Sequence, residues 1–174
     1  NYRDGGKNPY TGALKVLKVI LGYDYLWNNV RVKGGAYGCM CNFGKTGDSY
    51  FVSYRDPNLV KTMEIFEGTG DYLRGFKADE RTMTKYIIGT ISDMDIPLNP
   101  SAKGSRSLGA YMSNITLEDI QKERDEVLNC QEKDIQALAA YMDAMMQQKA
   151  ICVVGNGQAI AEHKDMFEVI ENLF

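Results

Sequence analysis

The chain has 174 residues, enough for one domain that buries a sizeable hydrophobic core. Hydrophobic residues make up 44% and charged residues 25% of the chain, a composition typical of globular proteins. The formal net charge of −3 lacks the basic excess of nucleic-acid-binding proteins, and no apolar run reaches the ~18 residues of a membrane span. We therefore expect neither a nucleic-acid partner nor a membrane partner.

The first residue and the cysteines bear on the origin of the chain. The chain begins with Asn1, without an initiator Met or a signal-peptide pattern. This start predicts a fragment of a longer protein whose localisation is unknown. The cysteines at 39, 41, 130 and 152 do not suggest a disulfide framework in a chain of this length. We expect free, buried thiols and a reducing, soluble compartment, such as the bacterial cytoplasm or an organelle matrix.

The first third of the chain predicts a helix followed by an antiparallel hairpin. Asn8 and Pro9 form a typical helix start, because Asn caps a helix and Pro suits its first turn. The mostly apolar residues 11–29 predict a central helix that is covered on more than one side. Residues 37–43 and 49–55 alternate in polarity around a glycine-containing loop, which predicts the two strands of the hairpin.

A run of helices is predicted after the hairpin. Asp56 followed by Pro57 is typical of a helix start, and Gly75 is typical of a helix end. Another helix is expected from about Asp79, and residues 116–119 resemble a capping box with Asp in place of Glu or Gln.

The end of the chain predicts one more strand. The apolar residues 150–154 are typical of a buried strand, and residues 167–173 form a final apolar segment. The order of elements favours a single α+β domain over residues 1–174, with an antiparallel sheet packed with several helices.

One corner between helix and strand carries candidate functional residues. Arg31 lies at the predicted helix end, where a cation interacts favourably with the helix dipole, and Tyr37 opens the predicted strand. Between them, Gly34 and Gly35 permit backbone conformations that a side chain would hinder. From the pattern alone, the alternative is purely structural, with Arg31 a helix-end cation and Tyr37 a core aromatic residue. His163, the only histidine, is expected at the surface and forms no zinc motif, because those motifs need two histidines.

A family resemblance sharpens this interpretation. Residues 26–38, with the sequence LWNNVRVKGGAYG, resemble the hallmark of the presequence-protease branch of the pitrilysin (insulinase-like) zinc metallopeptidases. The resembling segment lies in the C-terminal half of those enzymes. Further matches extend along nearly the whole chain, at residues 53–59, 88–92, 97–104, 116–121 and 153–155.

The resemblance implies a clamshell peptidase, in which two halves of one polypeptide close around an unfolded peptide substrate. It implies that zinc is bound by the N-terminal half, and that this chain is the last domain, truncated at its N-terminal side. Arg31 and Tyr37 match the arginine and tyrosine that reach across the chamber to the substrate, while Gly34 and Gly35 would let the substrate backbone approach closely. We expect the isolated chain to bind no metal, to be inactive, and to dimerise through a bare sheet edge.

Two alternatives remain open from the sequence. The chain could come from a non-catalytic scaffold or a processing-peptidase partner subunit of the same superfamily, although the presence of both Arg31 and Tyr37 argues against this. It could also be an unrelated binding module whose glycine-rich corner grips the edge of a peptide.

Overall fold

The computed structural model describes residues 1–172 and has an α+β fold, as the sequence predicts. Its sheet, within these residues, is one antiparallel pair of strands, β1 at Gly38–Phe43 and β2 at Ser49–Tyr54. The helices are α1 (Ala13–Ile20), α2 (Val60–Glu67), α3 (Thr69–Arg74), α4 (Glu80–Met94), α5 (Pro100–Met112), α6 (Leu117–Leu128), α7 (Glu132–Ala137), α8 (Ala139–Met146) and α9 (Gly157–Glu162). None of these helices is long and apolar enough to cross a bilayer.

The predicted central helix is present and lies at the centre of the core. After α1, the chain continues in helical conformation through two π-helical segments, Leu21–Tyr25 and Trp27–Val32. Apolar side chains along the whole length are buried: Leu14, Val16, Leu17, Ile20, Leu21, Leu26 and Val30. The wider π-helical winding is frequent near functional sites, and here it occupies the half of the helix that leads to the candidate corner.

The central helix begins later than predicted. Its first residue is Ala13, and the Asn8 side chain does not cap it but donates a hydrogen bond of 2.7 Å to the carbonyl of Tyr2. The backbone N–H of Gly12 instead donates to the Glu126 carboxylate of α6, at 2.6 Å. A carboxylate from a distant helix thus takes the place of the expected local cap.

The hairpin forms in the predicted region. Gly38 pairs with Tyr54 and Phe43 with Ser49, so the two strands are joined by the glycine-containing loop at 44–48. Cys41 and Phe43 of β1 are buried in the core, whereas the alternate residues of β2, Tyr50, Val52 and Tyr54, are exposed. One face of the hairpin therefore packs on the central helix, and the other faces solvent.

Helix α2 also begins later than predicted, at Val60 rather than at Asp56 and Pro57. The Asp56 carboxylate accepts hydrogen bonds from the Asn58 N–H at 2.9 Å and from Thr62 Oγ1 at 2.7 Å. Asp56 therefore closes a turn ahead of the helix, a conformation that Asp side chains favour as much as a cap.

Three later helix boundaries agree with the prediction. Gly75 follows the last residue of α3, and Asp79 caps α4 by accepting from the Thr82 N–H at 2.8 Å. Thr116 and Asp119 form the reciprocal hydrogen bonds of a capping box at the start of α6. These boundaries depend on local backbone groups alone, which explains why residue types predict them.

The prediction of a strand at residues 150–154 is wrong. These residues have no regular secondary structure, and Cys152 and Val154 are exposed. A strand is formed by backbone hydrogen bonds to a neighbouring strand, and residues 150–154 do not join β1 and β2, the strands of the sheet within residues 1–172. In the final apolar segment, residues 167–172 are also irregular, while Leu173 lies outside the described residues.

The predicted buried thiols are confirmed in part. Cys41 and Cys130 are buried, and burial raises the pKa of each thiol to about 12. Cys39 is half-buried, whereas Cys152 is exposed because the strand expected around it does not form.

A partly buried ion cluster joins the hairpin loop to two helices. The Glu123 side chain of α6 is only 11% exposed, and its carboxylate lies 2.5 Å from Lys45 Nζ and 3.4 Å from Lys15 Nζ. Burial alone would raise the pKa of Glu123, but the hydrogen bond to Lys45 and the charges of both lysines outweigh burial and lower it. The cluster thereby connects the loop at 44–48, α1 and α6.

Candidate functional site

Arg31 lies in the last turn of the π-helical segment Trp27–Val32, where the sequence places a helix-end cation. Its guanidinium carbon lies 4.0 Å from the centroid of the Trp27 ring. Its Nε donates a hydrogen bond of 3.0 Å to the backbone carbonyl of Tyr37. Arg31 therefore joins the end of the central helix to the start of the hairpin.

Gly34 and Gly35 make the turn between helix and strand. Gly35 has φ of +83°, in the left-handed region that favours glycine, and its N–H donates to the Arg31 carbonyl at 2.9 Å. A side chain at Gly34 would collide with the carbonyl oxygen of Val30. The backbone conformation at Gly35 and the close packing at Gly34 thus explain why glycine occupies both positions. The contact of these glycines with substrate remains a prediction.

Tyr37 is not the core aromatic residue of the structural alternative, because 66% of its surface is exposed. It precedes β1, and its N–H is shared between the carbonyls of Tyr54 at 3.1 Å and Arg55 at 3.3 Å. Its ring meets the Tyr54 ring edge-on, with centroids 5.9 Å apart and planes at 81°. The phenol is therefore presented to solvent from a backbone that is held firmly to the neighbouring strand.

Arg55 joins the site, and sequence reasoning missed it. Its guanidinium carbon lies 5.7 Å from the centroid of the Tyr37 ring and 5.4 Å from that of Tyr54. The observed hairpin register places it there: Gly38 pairs with Tyr54, so continuing the pairing by one residue brings Arg55 opposite Tyr37. The alternation of polarity predicted the two strands but did not specify which residues face each other.

These side chains line an open recess, formed by Arg31, Val32, Gly35, Ala36, Tyr37 and Arg55. Within residues 1–172, neither arginine forms a salt bridge with a carboxylate. The recess therefore combines two cations with a phenol. Such a group of hydrogen-bond donors suits a substrate carbonyl oxygen or a negative charge that develops on one.

A half-buried thiol lies on the strand beside the recess. Burial raises the pKa of Cys39, and the charge of Arg31 opposes this shift without cancelling it. At neutral pH the thiol is therefore protonated, and it adds no negative charge to the recess.

The residues that the structure describes do not fit a zinc centre. Among residues 1–172, no group of three His, Cys, Asp or Glu side chains is arranged to hold a metal ion. His163 follows α9 and is exposed, as predicted.

Comparison with known proteins shows which family the chain belongs to. The model of the family described as PreP C-terminal domain matches residues 2–157, which include the whole recess. The chain belongs to this family. The resemblance to the presequence-protease branch, inferred from residues 26–38, is thereby confirmed.

Proteins similar to this chain occur in bacteria, plants and fungi. The chain is 49% identical to Protein HypA of Clostridium perfringens over 99% of its length and 18% of that protein. It is 40% identical to Presequence protease 1, chloroplastic/mitochondrial, of Arabidopsis thaliana, over 91% of the chain and 15% of that protein. The mitochondrial presequence protease of Aspergillus fumigatus is 31% identical over 91% of the chain and 15% of its own length. The chain thus spans less than a fifth of these relatives.

Proposed function

We propose that this chain is the C-terminal domain of a clamshell zinc oligopeptidase that degrades unfolded peptides, and that it contributes side chains that contact the substrate. The observation that carries the proposal is the convergence of Arg31 and Tyr37 on an exposed recess, in a segment that matches the PreP C-terminal domain. In this proposal the N-terminal half of the same polypeptide is the partner and binds the zinc, since the residues described here do not fit a metal site. We propose residues 1–174 as a single domain of that enzyme.

Tyr37 and Arg31 have different roles in the proposed reaction. The exposed Tyr37 hydroxyl donates a hydrogen bond to the oxyanion that develops at the scissile carbonyl, which favours the transition state over the bound substrate. Arg31 already uses Nε to hold the Tyr37 backbone, so its two terminal nitrogens can grip a substrate carbonyl. Gly34 and Gly35 lie between these two residues and leave room for the substrate backbone.

The proposal is tested by two variants of the full-length parent enzyme. We expect Tyr37→Phe to lower kcat by about 10²–10³-fold, the usual effect of removing one oxyanion donor, with little change in KM. Arg31→Ala should lower kcat and raise KM, because a guanidinium also holds the substrate in its ground state. Steady-state kinetics on an unfolded peptide measures both parameters.

Tyr50→Phe is the matched control. Tyr50 is another exposed tyrosine of the same hairpin, but it does not line the recess. Zinc content and melting temperature are compared for all four proteins. Normal turnover in Tyr37→Phe with a lowered melting temperature would overturn the proposal and favour the scaffold or partner-subunit alternative.

A further inference from the structure

The backbone of Arg55 is strained. It follows the last residue of β2 with φ of +47°, in the left-handed region that side chains with a Cβ rarely adopt. Glycine or asparagine would adopt this conformation at lower cost, so the geometry of the chain here does not by itself require an arginine. Such strain in a residue other than glycine is often found at functional sites.

The Arg55 side chain lies beside the ring of Tyr37. An exposed tyrosine ring usually samples several rotamers, and within residues 1–172 the Tyr37 hydroxyl has no hydrogen-bond partner to select one. The ring instead has one aromatic and one cationic neighbour. The Tyr54 ring meets it edge-on, and the Arg55 guanidinium carbon lies 5.7 Å from its centroid. Arg55 also lies 5.4 Å from the Tyr54 centroid, so one guanidinium is within cation–π distance of both rings.

Arg31 and Arg55 act on different parts of Tyr37. Arg31 binds the backbone carbonyl, whereas Arg55 lies over the ring that carries the hydroxyl. Both arginines line the same recess. One cation thus contacts the backbone of Tyr37, and the other lies near its ring.

We infer that Arg55 is a positioning residue, which keeps the Tyr37 hydroxyl directed into the recess that receives the substrate carbonyl. The inference rests on the proposed function of Tyr37. It adds a third side chain to the site, and it gives a reason for an arginine where the backbone favours glycine or asparagine.

A double-mutant cycle in the full-length parent enzyme tests the inference. The variants are Arg55→Asn, which tolerates the left-handed backbone, Tyr37→Phe, and the two combined. We expect Arg55→Asn to lower kcat about two- to fivefold with KM nearly unchanged, because the cation–π contact of an exposed arginine is weak but orients a group used in the transition state. In the Tyr37→Phe background, the same change should have almost no further effect on kcat, since no hydroxyl remains to be positioned.

Two further variants separate positioning from a structural role. Arg55→Lys keeps a cation near the rings and should recover part of the lost kcat. Arg81→Asn, at an exposed arginine in α4, should leave kcat and KM as in the wild type. If Arg55 only stabilises the hairpin, Arg55→Asn would change the melting temperature and leave kcat intact, and this result would overturn the inference.

The outcomes distinguish this inference from the proposed function. An equal fall in kcat on Arg55→Asn in both backgrounds, with Tyr37→Phe itself impaired, would overturn only the positioning role of Arg55. Full turnover in Tyr37→Phe would overturn the proposed function, and the inference about Arg55 with it.

Discussion

At the scale of single residues, Gly35 shows how the backbone shapes the candidate site. Its φ of +83° turns the chain from the central helix into β1, between Arg31 and Tyr37. The nearest side-chain atom to an added Cβ is Cγ of Pro57, at 3.7 Å, so the obstacle to a side chain is the dihedral angle and not a lack of space.

We expect Gly35→Ala to lower the free energy of unfolding by about 1–2 kcal/mol, the cost of a left-handed residue with a Cβ. Gly104→Ala is the matched control, because Gly104 lies within α5 with open space around it. That change should stabilise the chain by about 0.5–1 kcal/mol through helix propensity. Urea unfolding of residues 1–174 measures both, and equal effects of the two changes would contradict the role of the dihedral angle.

At the scale of elements, the ion cluster around Glu123 fastens the hairpin loop to α1 and α6. Its two lysine partners are 37% and 41% exposed at their side chains, so solvent weakens the attraction. We expect Glu123→Gln to lower the free energy of unfolding at neutral pH by about 1–2 kcal/mol.

The cluster also predicts how stability depends on pH. The folded-state pKa of Glu123 is below its ordinary value of 4.5, so its contribution is complete above that value and is lost as the pH falls through the folded-state pKa. Urea unfolding from about pH 5 to about pH 3 should therefore show a steeper loss of stability in the wild type than in Glu123→Gln. Glu118→Gln, at an exposed glutamate of the same helix, should keep the wild-type slope, and a flattened slope there would contradict the assignment to Glu123.

At the scale of the whole molecule, the sheet is the least complete part of the fold. Within residues 1–172, β1 and β2 pair only with each other, so each strand has one edge without a strand partner. Open edges with exposed apolar side chains favour pairing with another chain, and β2 carries the exposed residues Tyr50, Val52 and Tyr54.

We expect residues 1–174, prepared alone, to self-associate as the concentration rises. Sedimentation velocity over a range of concentrations measures this association. Val52→Lys places a charge on β2 and should shift the equilibrium towards the monomer. A strict monomer at high concentration in the wild-type chain would rule the expectation out.

Much of the local structure follows from the sequence because it depends on neighbours along the chain. The apolar residues 11–29 specify the central helix, and the side chains of Asp79 and Thr116 satisfy backbone groups three residues away. Likewise, alternation of polarity predicts the hairpin, and the motif at residues 26–38 indicates the family whose model matches residues 2–157.

Only the tertiary structure decided the features that depend on distant partners. Residues 150–154 have the composition of a strand but pair with neither β1 nor β2, and the backbone N–H of Gly12, just before the central helix, donates to Glu126 of the distant α6. The sequence also predicted Arg31 and Tyr37 as site residues. It did not determine whether Tyr37 is buried, and it did not predict that Arg55 lies near the Tyr37 ring. Burial and cross-strand register are set by packing between segments far apart in the chain, and residue types at one position do not encode them.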